Sequence, residues 1–372
     1  MKKLAFAILC ISSGFAGDYY PGDDLVRKGV YAFYNYEYEK ADSILTSARK
    51  EYPNHPGVHL IWAAARWVKS QAHDSIEETH RVLERDLDEI KPIYESLVDQ
   101  FPNDQIYQLY QGSALGLSAR VTLGKKEWLR TLYRAYRGFS IINEVAENSP
   151  ENMDAKLPIG IVEYYAGISN SLLKFAVNMY GLNSSTESGL DQITLAADSS
   201  DWAWIEAKGI LGFLYLWVED NPIMALMHSK DLVEKFPQNY YFNILYLEST
   251  IRTSQYDISH AIIEDMEKRE SGLLKRQVDW YIPYLNYEKG LLAFHENRWD
   301  DAQHYLNESI DYYTAELDII LGNAHLFLGM IFDANGKRQA AKSQYEACLE
   351  LDNFSSTMEK ANQYLDMPYA HQ

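Results

Sequence analysis

Lys126, Arg130, Arg134 and Arg137 recur at intervals of four, four and three residues, which places four cations on one face of a helix. Tyr133 and Tyr136 lie among them, and Arg120 and Lys125 precede them. Guanidinium forks match the geometry of carboxylates and phosphates. The stripe therefore has three readings: ion pairs with acids of neighbouring helices such as Glu163, a pocket for an anionic partner, or a solvated face. Glu163 and Lys174 are the only charges in residues 157–181. A lone carboxylate on so apolar a segment reads as an ion-pair partner before it reads as a general acid or base. His55 and His59 stand four apart, and His73, Glu77 and His80 also sit at helical spacing. That spacing fixes no third strong ligand, so no metal is expected. The sequence holds no nucleophile elbow, no phosphate-binding glycine loop and no His-Glu-x-x-His zinc pattern. No catalytic residue and no cofactor is assigned, and an enzyme is not expected.

Helices must position this stripe. Apolar residues recur at helical period, and period-two runs of β-branched residues are missing, so an all-α chain with essentially no sheet is expected. The pattern predicts seventeen helical segments between residues 22 and 365, with loop chemistry at Gly181–Thr186 and Glu270–Gly272. The chain has 372 residues, 47% hydrophobic and 23% charged, which is globular composition. At this length a single compact core would be large, so two domains or an elongated array is expected.

Residues 1–16 read as a signal peptide: Lys2 and Lys3, an apolar run from Leu4 to Ile11, and small residues at Gly14 and Ala16 before the cut. Leu9 is bulky before Cys10, which argues against a lipoprotein. The mature chain would keep only Cys348, expected as a buried small hydrophobe. Loss of Lys2 and Lys3 leaves 32 basic against 53 acidic residues, a balance of −21. Such a field repels nucleic acid and anionic headgroups, so no nucleic-acid partner is expected. Residues 157–181 are long enough to span a membrane. Their charges, asparagines and glycines favour burial within the fold, with peripheral membrane contact as the alternative. The expected location is the periplasm or outer-membrane periphery of a bacterium.

Small residues and prolines recur. Gly29, Ala41, Ala48 and Pro53 stand 12, 7 and 5 residues apart; Gly290 and Ala302 repeat the first interval, as do Gly329 and Ala341, with Cys348 a further 7 on. Small residues facing one another let two helices approach closely, and a proline after the second helix stops it. On these residues the chain resembles the tetratricopeptide family. It departs from that family in period: Pro53, Pro102 and Pro150 are 49 and 48 residues apart and Gly290 to Gly329 is 39, against the family's 34. The middle section also resembles a group of uncharacterised bacterial tetratricopeptide proteins through Tyr110–Gly116, Gly160–Tyr165 and Gly189-Leu190.

The resemblance implies a right-handed superhelical solenoid of antiparallel helix pairs over residues 17–372. Its sections are N-terminal repeats over 22–103, a middle of longer, irregular helices over 104–200, central repeats over 201–268 and C-terminal repeats over 273–372. It implies that each first helix lines a concave groove able to hold a peptide or helix of another protein. Counted along the repeats, few cations fall on that surface, so contacts at the ends are expected to be apolar, with Phe33, Tyr34, Tyr287 and Phe294 as groove residues. The functional reading is an exported scaffold for protein–protein interaction. The alternatives are a small-ligand or glycan-binding component using aromatic contacts, and a hydrolase with a site assembled from distant residues.

Overall fold

Gly29 lies so close to the second helix of the chain that a Cβ there would come within 2.5 Å of the Leu45 side chain. Gly290 stands in the same relation to Leu306, and Gly329 to Tyr345. Ala41, Ala48, Ala302 and Ala341 are buried in the same contacts. These close approaches set the helix-pair geometry along the chain.

A computed structural model describes residues 20–124, 127–168, 184–315 and 318–370. Among the described residues there are seventeen α-helices and no strand. They are α1 (Asp23–Tyr34), α2 (Tyr38–Glu51), α3 (Val58–His73), α4 (Ile76–Gln100), α5 (Gln105–Gly124), α6 (Trp128–Asn148), α7 (Lys156–Ile168), α8 (Thr186–Ser199) and α9 (Trp204–Trp217). There follow α10 (Pro222–Lys235), α11 (Tyr240–Arg252), α12 (Tyr256–Glu270), α13 (Lys275–His295), α14 (Trp299–Asp311), α15 (Ile319–Ala334), α16 (Arg338–Glu350) and α17 (Ser356–Asp366). Each odd-numbered helix packs on the even-numbered one that follows it, and α17 covers the last pair. The architecture is the all-α solenoid of antiparallel helix pairs read from the sequence.

Pro53, Pro102, Pro150 and Pro237 each follow the residue that caps a second helix: Tyr52, Phe101, Ser149 and Phe236. The α4 helix runs unbroken through Pro92, where the proline is exposed. The signal-peptide segment and most of the apolar stretch after Ile168 lie outside the described residues. No helix among the described residues is long and apolar enough to cross a membrane.

One feature departs from an open array. The first unit folds against the far part of the solenoid. Arg27 pairs with Asp201 at 2.5 Å and lies over the Trp202 ring at 4.1 Å. Tyr34 donates to Glu206, and its carbonyl accepts from the Asn239 side chain at 2.9 Å. Tyr36 and Tyr281 stack with an interplanar angle of 4° and their hydroxyls meet at 3.0 Å. Gln277 donates to the Tyr38 hydroxyl at 3.1 Å. Thus α1 and the turn after it cover the N-terminal ends of α9, α11 and α13.

Overpacking tests the pair geometry. Ala302→Leu and Ala341→Leu, at positions with no exposed surface, should each lower unfolding stability by about 1–3 kcal/mol. Unchanged thermal unfolding in both variants would contradict it.

Candidate functional site

The basic stripe forms one wall of a cleft. Gly138 of α6 sits against α5 so closely that a Cβ would meet the Gly116 backbone nitrogen at 2.5 Å and the Gly112 carbonyl oxygen at 2.6 Å. That contact holds α6 on α5. Between α6 and α4 a cleft of about 560 Å³ remains, a size within the usual range for ligand sites. Leu87, Tyr94, Ala114, Leu115, Val121 and Ile141 make its apolar lining. Arg130, Tyr133, Arg134 and Arg137 rise from α6, and Glu84, Asp88, Lys91 and Glu95 from α4.

Arg134 reaches Glu84 across the cleft at 3.4 Å and donates to the Ser118 carbonyl at 3.0 Å. Among the described residues Arg130 pairs locally, with Glu127 at 3.1 Å, and its side chain is 74% exposed. Arg137 is exposed and lies 6.0 Å from the ring centre of Tyr133, itself 62% exposed. Lys126 lies outside the described residues. Among the described residues Glu163 does not pair with the stripe, contrary to the sequence reading: it is buried and accepts from the Ser188 hydroxyl at 2.7 Å. The neighbour that α7 gives it is α8, held close by the Gly160 and Gly189 contacts.

The proposed groove aromatics also need correction. Tyr287 and Phe294 are buried; Phe294 packs against Trp299 and Phe327, and Tyr287 against Phe327. Phe33 and Tyr34 are half-buried. Tyr34 lies among Phe236 and Phe242, and Phe33 packs edge-on against Tyr34. The chain itself occupies the surface they were expected to offer. His55 and His59 are buried structural groups. The Nδ1 of His55 accepts from two backbone N–H groups and its Nε2 faces Asp23 at 2.7 Å. Burial lowers the pKa of His59 to about 4. Among the described residues no group of three or more metal-ligating side chains assembles. Cys348 is buried and unpaired.

The repeated contact of a glycine on a first helix with the second helix, twelve residues before a buried alanine, decides the architecture. The fold is a tetratricopeptide-like solenoid of helix pairs. No family model matches it, and no curated protein matches it. Solved structures similar to this chain include NprR in complex with its cognate peptide NprX, at 11% identity, covering 93% of this chain and 81% of that one, with a TM-score of 0.41. Human IFIT1, solved as a dimer with m7Gppp-AAAA, shows 12% identity over 92% of this chain and 84% of its own, again at 0.41. A tetratricopeptide repeat protein from Parabacteroides merdae shows 11% identity over 93% and 97%, with a TM-score of 0.33. These are likenesses of general form, and the assignment rests on the packing of this chain.

A second cluster, buried among the inner helices of the solenoid, went unread in the sequence. Glu248 of α11 and Glu288 of α13 are 1% and 0% exposed. The Trp217 indole donates to Glu248 at 2.6 Å, Tyr287 at 3.5 Å, and Arg252 reaches it at 3.4 Å. Arg252 also pairs with Asp220, which Lys360 of α17 meets at 2.7 Å. Among the described residues no N–H or hydroxyl donor meets either oxygen of Glu288; its neighbour is the Glu248 carboxyl. Burial, then the Glu248 charge, pushes the Glu288 pKa well above the carboxylate range. Two carboxyls in contact share a hydrogen bond only if one holds a proton, so Glu288 is the neutral donor. The group ties α9, α11, α13 and α17 together.

Proposed function

We propose that the protein is an exported scaffold that binds another protein or a peptide in the envelope of a bacterium. The observation that carries the reading is the cleft between α4 and α6. It has an apolar lining, charged walls and an exposed tyrosine, the anatomy of a recognition surface. Among the described residues the N-terminal ends of α9, α11 and α13 are covered by α1 and the turn after it, so those ends offer no open trough of aromatic residues for a sugar. The buried Glu248–Glu288 pair is sealed by its neighbours and has the character of a structural link. The start of the chain, with Lys2, Lys3 and the apolar run after them, supports export.

Two measurements test this. A photo-crosslinking amino acid at position 133, expressed in a bacterial host with an envelope, should capture one defined protein that the same probe at the exposed Tyr312 position does not. Equal labelling at both positions would contradict the scaffold reading of the cleft. Fractionation of a C-terminally tagged chain should find it in the envelope with Gly17 as its first residue; an uncleaved chain in the cytoplasm would contradict export.

A further inference from the structure

We propose that the α4–α6 cleft takes a short, extended peptide segment that alternates acidic and apolar side chains. This rests on the scaffold reading above and names the class of partner. The chain as a whole carries 53 acidic and 34 basic residues, yet this cleft collects Lys91, Arg130, Arg134 and Arg137. Glu84 engages Arg134, and Glu127 engages Arg130 along its own helix. Among the described residues Lys91 and Arg137 line the cleft without an ion pair. Asp88 and Glu95 lie beside Lys91 on the α4 wall, one turn to either side, so the uncompensated positive charge concentrates on the α6 wall.

Spacing comes next. Arg130, Arg134, Arg137 and Ile141 follow one another along one face of α6, and Glu84, Asp88, Lys91 and Glu95 along α4. At a rise of about 1.5 Å per residue each wall is roughly 16 Å long. That length matches about five residues of extended chain at ~3.3 Å each. Successive side chains of an extended segment point to opposite sides. A segment seated here therefore turns every second residue towards Arg130 and Arg137, with the exposed Tyr133 ring between them. The remaining residues turn towards Leu87, Ala114, Leu115 and Val121. Guanidinium forks bind carboxylates by two parallel hydrogen bonds, so acids at the α6-facing positions complement the wall, and apolar residues at the others complement the lining.

The test uses the full chain and fluorescein-labelled seven-residue peptides read by fluorescence anisotropy. One peptide alternates glutamate with leucine; in the other two, glutamine or lysine replaces glutamate. The glutamate peptide should bind at least tenfold more tightly than the other two. Arg130→Glu combined with Arg137→Glu, both at exposed positions, should keep the thermal unfolding midpoint. It should cost the glutamate peptide at least tenfold and improve binding of the lysine peptide. A preference of the unmodified chain for lysine, an unchanged affinity in the double variant, or no binding by any peptide would each overturn the proposal. The crosslinking probe at position 133 separates this from the broader reading. If the same protein is captured by the intact chain and by the double variant while the glutamate peptide fails, the acidic-segment inference falls and the scaffold reading stands.

Discussion

Glu288→Gln should raise the stability of the protein at neutral and alkaline pH and flatten its pH dependence. The charges around the Glu248–Glu288 pair fix the direction. Asp220 and Arg252, joined by Lys360 and Glu248, balance in charge when Glu288 is neutral. Tyr287 and Trp217 supply neutral donors to Glu248, and His295 on α13 is held towards its neutral form by burial and by Arg252. An ionised Glu288 would add one uncompensated charge in a buried site, which is strongly unfavourable. Its folded pKa therefore lies above its unfolded value. The stability tied to the proton is complete below the unfolded pKa, near 4.3, and is lost as pH rises towards the folded pKa, at up to about 1.4 kcal/mol per pH unit. Glutamine keeps the shape and offers Glu248 an N–H in place of the O–H, with no proton to lose. Urea unfolding at pH 5, 7 and 9 should show the two proteins converging at the lowest pH and the variant gaining as pH rises. Parallel curves would contradict the assignment of the proton to Glu288.

Gly138→Ala and Gly116→Ala should act in opposite directions. At Gly138 a Cβ meets backbone atoms of Gly116 and Gly112 at 2.5 and 2.6 Å. Backbone cannot swing aside as a side chain can, so α5 and α6 must separate, at about 1–3 kcal/mol or more. At Gly116 nothing lies within 4 Å of the added Cβ. The substitution there removes a mid-helix glycine and should stabilise by about 0.8–1 kcal/mol. Gly138→Ala should also narrow or deform the α4–α6 cleft, so peptide binding should fall with stability, whereas Gly116→Ala should leave it unchanged. Chemical unfolding of both variants checks the pair; loss of stability at Gly116 equal to that at Gly138 would refute the close-approach account.

Local pattern made the helices legible. Apolar period and the closing prolines placed most of the described helices within a few residues, because each signal lies inside one helix or one pair. The long middle helices α5 and α6 were expected from proline spacing, since a fixed helix-pair geometry with wider punctuation requires longer helices. What escaped was contact between units far apart in sequence. Nothing near Arg27 indicates Asp201, and nothing near Tyr36 indicates Tyr281, so the closure of α1 over α9, α11 and α13 was not readable. Tyr287 and Phe294 were misjudged for the same reason: a repeat count says which helix face they share, but the tightness of stacking between α13 and α15 decides whether that face meets solvent. Glu248 and Glu288 offered one faint signal, two acids about one repeat apart on successive first helices. In the stripe, the i, i+4, i+7 spacing of Arg130, Arg134 and Arg137 placed them on one face, while Glu84, the partner of Arg134, came from a helix the spacing could not select.

The solenoid closes upon its own first unit, and the α4–α6 cleft stays open to solvent. Arg27→Cys with Asp201→Cys, in a chain whose Cys10 is replaced by serine, tests that closure. The native Cys348 is fully buried, and Arg27 and Asp201 have side chains 36% and 42% exposed. A short bis-maleimide added to the folded protein should join positions 27 and 201 within one chain in near-complete yield, read as a single peptide pair by mass spectrometry. Independent labelling of the two cysteines, with no intramolecular link, would contradict the closed solenoid.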